Sequence, residues 1–290
     1  ARAGVILAIP RKTFGLGLYV SANVDLGARF TYAATDSTTI TGHATTATTI
    51  ADALLVCTSA PATCSTISNT IDATNDGDID DMDSTLSVRG VAMGEVGISI
   101  ARRFTDLGNV DIGITPKLIK IQTFNYEVSA QDTEIDKDRG QLEDDQFNAD
   151  IGITKTYGDR YKAGLVVKNL LGGEFDFADS TDSYKLKPHA RLGVSHHTDW
   201  STVGVDVDLT QQQGLGNGFS QDTQFLSIGA EFDVRFIQLR LGYRHDLAGN
   251  YDGMPSLGLG LNLFGVHADF AVAAAGDKEV IASAQLGLNF

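Results

Sequence analysis

Apolar and polar residues alternate one by one through most of the chain. Near the C-terminus, every even position from Val280 to Phe290 is apolar, whereas Glu279, Ser283 and Gln285 occupy odd positions. A period of two residues predicts a β-strand with one apolar face, because successive side chains of a strand point to opposite sides. The last twelve residues therefore predict a strand that faces an apolar medium and ends on an aromatic residue.

With this strand included, the same alternation divides the chain into about thirteen strands. Clear apolar faces lie within 14–20, 96–100, 110–114, 147–153, 186–194, 203–209, 226–232, 237–243, 257–263 and 266–272. The parity slips near Leu118 and Ile119, which predicts a β-bulge there. The chain is therefore expected to be all-β and antiparallel.

Short turns and longer polar loops alternate between these strands. Asp233–Phe236 and Phe264–Gly265 are short, whereas Gln211–Asp222 and Asp246–Gly253 are longer, and a polar insertion spans about 33–83. This asymmetry is typical of a transmembrane β-barrel with periplasmic turns and extracellular loops. A soluble β-sandwich is the alternative, but it would not need an uncharged outer face on every strand.

Aromatic residues gather near both predicted ends of the strands, as in the girdles of membrane barrels. The short-turn end would hold Phe14, Phe104, Tyr157, Tyr161, Trp200, Phe236, Phe264 and Phe290. The long-loop end would hold Tyr32, Tyr126, Phe147, Tyr184, Phe225 and Tyr243.

Composition narrows the class of protein further. The 290 residues carry a net charge of −15, so a nucleic-acid partner is not expected, because phosphate binding needs a basic surface. No composition break divides the chain, which predicts one barrel domain over 1–290 with a long extracellular loop at 33–83. Bacterial single-chain barrels have even strand numbers, so an odd count predicts about 14 strands, one of them upstream of a trimmed chain.

Charged residues fall on the polar faces of strands that should be neighbours. The predicted luminal charge network comprises Lys162, Lys168, Lys187, Arg191, Asp206, Asp208, Glu231, Arg240 and Arg244, with Asp150, Asp233 and Asp269 nearby. Such a network can cross-link the wall, or it can bind a polar solute. Cross-linking is favoured, because paired luminal charges satisfy one another without a ligand.

The long insertion holds the sharpest local motif. Its oxygen-bearing candidates for a calcium site are Asp72, Thr74, Asp76, Asp78, Asp80 and Asp83, arranged around Gly77. Carboxylates at this spacing around a glycine turn can converge on one cation, and the pattern resembles dockerin-type loops. A solvated acidic loop without Ca²⁺ is the alternative, because no helical pattern clearly flanks the motif. No other cofactor is expected.

Two cysteines, Cys57 and Cys64, lie close together in the same insertion. A local disulfide is the favoured interpretation in an oxidising compartment, and two free thiols are expected in a cytosolic protein. No histidine or further cysteine accompanies them, so the spacing does not indicate a metal site.

Three segments carry a resemblance to a known family: Ala163–Leu170 (AGLVVKNL), Asp206–Thr210 (DVDLT) and Leu239–Arg244 (LRLGYR). In these segments the chain resembles the conjugal-transfer TraF-like barrels, which are similar to the FadL/TodX transporters of long-chain fatty acids and hydrocarbons. The resemblance implies a fourteen-strand barrel with a luminal N-terminal hatch, although no hatch segment is recognisable before the first strands.

The expected protein is therefore a non-enzymatic barrel of the bacterial outer membrane. The leading hypothesis is a channel or transporter for passive uptake of small or hydrophobic compounds, with membrane lipid and a lipophilic molecule as partners. The alternative is a structural or interaction barrel with a closed lumen, associated with conjugal transfer, whose acidic loop contacts an extracellular partner. No nucleophile motif supports catalysis.

Overall fold

The structure is a computed structural model. It describes residues 1–11, 14–33, 84–129, 140–178, 180–216, 218–263, 266–276 and 279–288. The strands are β1 Arg2–Pro10, β2 Phe14–Thr31, β3 Thr85–Phe104, β4 Val110–Ser129, β5 Gln141–Tyr157, β6 Tyr161–Lys168, β7 Gly173–Asp176, β8 Ser183–Leu186, β9 His189–His197, β10 Ser201–Asp208, β11 Phe225–Val234, β12 Ile237–Asp246, β13 Met254–Leu263, β14 Val266–Ala275 and β15 Glu279–Leu288. Within these ranges, no helix is long and apolar enough to cross a membrane.

Thirteen strands form one antiparallel sheet, in the order β1-β2-β3-β4-β5-β6-β9-β10-β11-β12-β13-β14-β15. This confirms the predicted antiparallel all-β fold class; within the described residues the large sheet has thirteen strands, and the fourteenth strand expected upstream stays a prediction. β7 and β8 pair only with each other and form a separate hairpin between β6 and β9. β1 and β15 are the outermost strands of the large sheet, and they run in the same direction because the number of strands is odd.

Connections of different length separate the two ends of the sheet. At one end the described turns are short, at 105–109, 158–160, 198–200 and 235–236. At the other end the described connections are longer, at 169–188, 209–224 and 247–253. We call these the short-turn end and the long-loop end.

The outer face of the sheet is apolar and exposed. Leu18, Ile98 and Leu241 are 46%, 49% and 52% exposed, respectively. A soluble sandwich would bury this face against a second sheet, yet within the described ranges only the small hairpin accompanies the large sheet, and it packs on the other face. The exposed apolar face is therefore the outer surface of a membrane-spanning sheet.

Four strands are taller than a membrane span requires. β2 to β5 have 17 to 20 residues, whereas a tilted span needs about 9–11. The outward pair Leu118 and Phe147 is apolar, and two residues further Lys120 forms an ion pair of 2.8 Å with Glu143 on the same outer face. The sheet of β2 to β5 therefore continues beyond the apolar belt at the long-loop end.

Aromatic side chains at the short-turn end follow the predicted girdle. Its exposed members include Phe14, Tyr157, Tyr161, Trp200 and Phe236. At the long-loop end Tyr32, Phe147 and Tyr243 are exposed, but two predicted members are placed elsewhere. Tyr184 lies in the hairpin, and Phe225 turns to the inner face, where the Arg244 guanidinium lies 4.9 Å from the ring centre.

Two details of the predicted strands are wrong. No bulge interrupts β4, because Gly97 pairs with Lys117 and Ile100 pairs with Ile114 in an unchanged register, with only the positions around Pro116 lacking pairs. Leu186 to Val194 is not one strand either. The chain leaves β8 at Leu186 and enters β9 at His189, and the segment between them contains Pro188, which has no N–H to donate.

Candidate functional site: the inner wall and its cap

An apolar cluster fills part of the inner side at the long-loop end. Its members come from β3, β4, the hairpin and the β10–β11 loop: Val91, Ile119, Ile121, Phe175, Phe177, Leu186 and Leu215. Ile119 and Ile121 are each only 1% exposed, although they face the inside of the sheet. Inward isoleucines explain the parity slip in the sequence, because they meet the hairpin and not water. We call the β7–β8 hairpin together with residues 209–216 and 218–224 the cap.

The hairpin is held to the inner wall by polar contacts as well. Thr123 Oγ1 donates to the Asp176 carbonyl oxygen at 2.7 Å, and Asn125 Nδ2 donates to the Ala178 carbonyl oxygen at 2.9 Å. On β5, the fully buried Asn148 accepts a hydrogen bond of 3.2 Å from the Leu171 N–H. Buried donors and acceptors are costly to leave unpaired, so these bonds favour one position of the hairpin.

Arg89 of β3 contacts both parts of the cap. Its guanidinium lies 3.0 Å from Asp182 of the hairpin connection and 4.6 Å from the ring centre of Phe177. The same guanidinium lies 5.4 Å from the ring centre of Phe219, which belongs to the β10–β11 loop. Arg89 is 5% exposed, so these cation–π and charge contacts are made away from bulk water.

The β10–β11 loop reaches across the inside of the sheet. β10 stands six positions from β2 in the sheet order, yet Phe219 lies against Gly27 of β2 and 5.4 Å from the Arg29 guanidinium. A side chain at position 27 would crowd the Phe219 ring, so the glycine allows the close approach. The cap thus joins opposite parts of the wall.

Two ionisable groups of the hairpin are shifted by their surroundings. Burial raises the pKa of the Tyr184 phenol, and the nearby Asp25 carboxylate adds to the effect. The Glu174 carboxyl is exposed, and its pKa is lowered by hydrogen bonds from Ser183 and Lys185. The phenol of Tyr184 is therefore neutral at physiological pH, as its packing against the apolar cluster requires.

Three groups of charges are joined on the inner wall. Lys117 of β4 lies 2.9 Å from Glu95 of β3 and 3.0 Å from Asp150 of β5. Because Lys117 is buried, its charge depends on both carboxylates for compensation. Sequence reasoning placed Asp150 on this face but missed Lys117 and Glu95, although their positions on the polar side of β3 and β4 carried the signal.

The second group surrounds Asp208 at the long-loop end of β10. Asp208 is fully buried; Arg191 Nε donates to it at 2.5 Å, and the Phe225 N–H donates to it at 3.1 Å. His189 Nε2 lies 3.1 Å from the same carboxylate, in a geometry not aligned as a hydrogen bond. The third group is centred on Arg240, which lies 2.5 Å from Glu231 and 2.6 Å from Asp269.

The other predicted luminal residues are not in these groups. Lys162 and Asp206 line a recess on the inner wall, and Lys168 and Arg244 lie exposed at the long-loop ends of β6 and β12. Lys187 is exposed between β8 and β9, outside the large sheet, because the strand predicted there is interrupted.

The predicted calcium and disulfide sites fall on residues 34–83, outside the described residues, and both stay predictions. Across the ranges that the structure does describe, no group of three or more His, Cys, Asp or Glu side chains is placed to hold a metal ion.

An exposed apolar exterior, a polar inner wall with paired charges and an internal cap together define a membrane-spanning, antiparallel β-sheet protein of barrel type. The chain belongs to the family described as "F plasmid transfer operon, TraF, protein", whose model matches residues 1–208. No curated protein matches the sequence.

Two solved structures of membrane proteins align with this chain at low sequence identity. A triple mutant of the Rh. blastica porin is 10% identical with a TM-score of 0.39, and the alignment covers 100% of this chain and 89% of the porin. The ferric yersiniabactin uptake receptor FyuA from Yersinia pestis is 11% identical with a TM-score of 0.37, covering 98% of this chain and 45% of the receptor.

Proposed function

We propose that this protein is a non-enzymatic channel of the bacterial outer membrane for small polar solutes, with a cap that closes its long-loop mouth. The observation that carries the proposal is the apolar cluster inside the mouth. Inward isoleucines at 119 and 121 are buried by the cap, where an open channel would expose them to water. Beneath the cap the wall carries charges and glycines.

A polar solute is favoured over the lipophilic cargo that a FadL resemblance implies. A lipophilic ligand needs a largely apolar pocket. The buried inner-face residues Val91, Ile119 and Ile121 are already packed against the cap, and other parts of the inner wall present Lys117, Arg191, Arg240 and their carboxylate partners. The apolar exterior supports outer-membrane lipid as the surrounding medium.

A closed interaction barrel linked to conjugal transfer is the second candidate. The cap also supports the closed barrel, because the buried cluster and the Arg89 contacts hold the cap against the inner wall at the long-loop end. The family description points to a transfer operon, and an extracellular partner of the acidic 33–83 loop would suit this function. The two candidates differ in whether the cap ever opens.

Single-channel conductance in planar bilayers separates them. We expect low activity for the unaltered protein and frequent open steps for Arg89→Ala, because that change removes the contacts to both parts of the cap. Arg103→Ala is the matched control, since Arg103 forms an exposed ion pair of 2.7 Å with Asp111 at the short-turn end. Silence of the folded Arg89→Ala variant would overturn the channel and favour the closed barrel.

A further inference from the structure

We infer that the inner wall of β5, β6, β9 and β10 holds a binding site for a small zwitterionic solute. Lys162 and Arg191 would take its anionic group, and Asp206 would take its cationic group. The inference rests on the proposed channel function and names the class of solute for it. The site is a recess with a volume of about 330 Å³, lined by these three residues and by the hydroxyl-bearing Thr154 and Ser195.

Glycines form the floor of this recess. Gly164 of β6 pairs with Gly193 of β9, and Gly193 pairs in turn with Asp206 of β10. A methyl group at Gly193 would overlap the Asp206 carboxylate, so this carboxylate lies over the glycine. Lys162 is two residues from Gly164 and therefore on the same face. The floor between the lysine and the aspartate is therefore low at Gly164 and Gly193, and the small hydroxyl-bearing side chains of Thr154 and Ser195 stand beside these glycines.

The opposite charges at the two sides of this floor do not neutralise each other. Within the described ranges, neither Lys162 nor Asp206 has a hydrogen bond or an ion pair. Their strands are two positions apart, about 10 Å at the usual strand spacing, and the recess between the two side chains leaves room for a ligand that contacts both. Other inner-wall charges nearby are paired: Asp111 with Arg103, and Asp208 with Arg191.

Arg191 adds a second cationic group beside the recess. Its Nε atom donates to the buried Asp208, which fixes the side chain, while no hydrogen bond within the described part of the chain uses its terminal nitrogens. A guanidinium fixed in this way can still bind a carboxylate or phosphate through those terminal nitrogens. Two cations and one anion around a small recess match a solute with a separate anionic and cationic end.

The test is isothermal titration calorimetry on the full refolded chain in detergent, with γ-aminobutyrate as the probe. Butyrate and butylammonium carry only one of its two charges each. We expect γ-aminobutyrate to bind at least about fivefold more tightly than either, and Lys162→Met and Asp206→Asn each to weaken it at least about fivefold. Lys168→Met is the matched control, on the same strand and face but outside the recess.

The outcomes separate this site from the proposed channel. The inference is overturned if the three probes bind equally well. It is also overturned if the two recess variants are folded by circular dichroism and bind γ-aminobutyrate with unchanged affinity. Both conclusions hold regardless of the conductance result. The site is supported when γ-aminobutyrate binds selectively, Lys162→Met and Asp206→Asn weaken that binding, and Lys168→Met leaves it unchanged. This conclusion holds even where conductance measurements reject the channel. Weakening by Lys168→Met to the same extent also overturns the inference, because it indicates attraction by the general charge of the wall.

Discussion

Arg240 on β12 and Asp269 on β14 form an ion pair that passes over β13, with 2.6 Å between Arg240 Nη1 and Asp269 Oδ1. The intervening strand presents Gly258 opposite Arg240 and Gly260 opposite Asp269. Without side chains at these two positions, the guanidinium reaches a carboxylate two strands away. The glycines therefore determine which strands the inner-wall charges can join.

A side chain at Gly260 is expected to break this connection. An added methyl group would lie 2.7 Å from Asp269 Oδ1 and 2.9 Å from Gln238 Oε1. We predict that Gly260→Val lowers stability by about 1–3 kcal/mol, because the inserted side chain displaces both partners. Thermal unfolding in detergent, followed by circular dichroism, measures the change. Gly229→Ala is the control, since a methyl group there meets only the Leu241 carbonyl oxygen at 3.6 Å.

Arg240 itself is expected to matter more for stability than for conductance. Replacing it by methionine leaves Glu231 and Asp269 without their cation on a half-buried wall, and we predict a loss of about 1–2 kcal/mol after allowance for solvent screening. The triple variant Arg240→Met, Glu231→Gln, Asp269→Asn should recover part of that loss. Unchanged thermal unfolding of the single variant would contradict the structural role.

Asp246 is expected to hold the loop after β12 in place. This carboxylate is 1% exposed and accepts backbone hydrogen bonds from Gln224, Ala248, Asn250 and Tyr251, at 2.9 to 3.2 Å. We predict that Asp246→Ala costs about 1–3 kcal/mol and makes 247–253 sensitive to protease, because four backbone N–H groups lose a buried carboxylate as their acceptor.

Limited proteolysis with mass spectrometry locates the new cleavage sites in the Asp246→Ala variant. Asp199→Ala, in the exposed β9–β10 turn, is the control and should leave the digestion pattern unchanged. A digestion pattern of Asp246→Ala identical to that of the unaltered protein would show that the loop is held by other contacts.

The strands from β10 to β15 could be predicted from the sequence because local physics determines them. A period of two and short turns fix both the strand and the face that it turns outward. The neighbouring pair Glu231 and Arg240 followed from this register. The ion pair between Arg240 and Asp269 could not be predicted from the sequence, because it depends on how far the Arg240 side chain extends over the glycines of the strand between them. That distance is set by the tertiary structure.

The cap was missed for a related reason. Leu186 fits the alternation that continues in β9, so the pattern placed it on the outer face, whereas it is buried in the cluster with Phe175 and Phe177. Alternation shows which face of a strand is apolar. It does not show whether that face contacts lipid or a packed hairpin, since both are apolar surroundings. Only the parity slip at Leu118 and Ile119 carried a signal of the cap.

That pair of residues provides a matched test of the cap. Ile119 is 1% exposed and packs under the hairpin, whereas the adjacent Leu118 is 64% exposed on the outer face. We predict that Ile119→Ala removes cluster contacts worth about 2–4 kcal/mol and so raises the open probability in planar bilayers. Leu118→Ala changes a lipid contact of similar size and should leave gating as it is. Equal conductance of the two variants would show that the cluster does not hold the mouth shut.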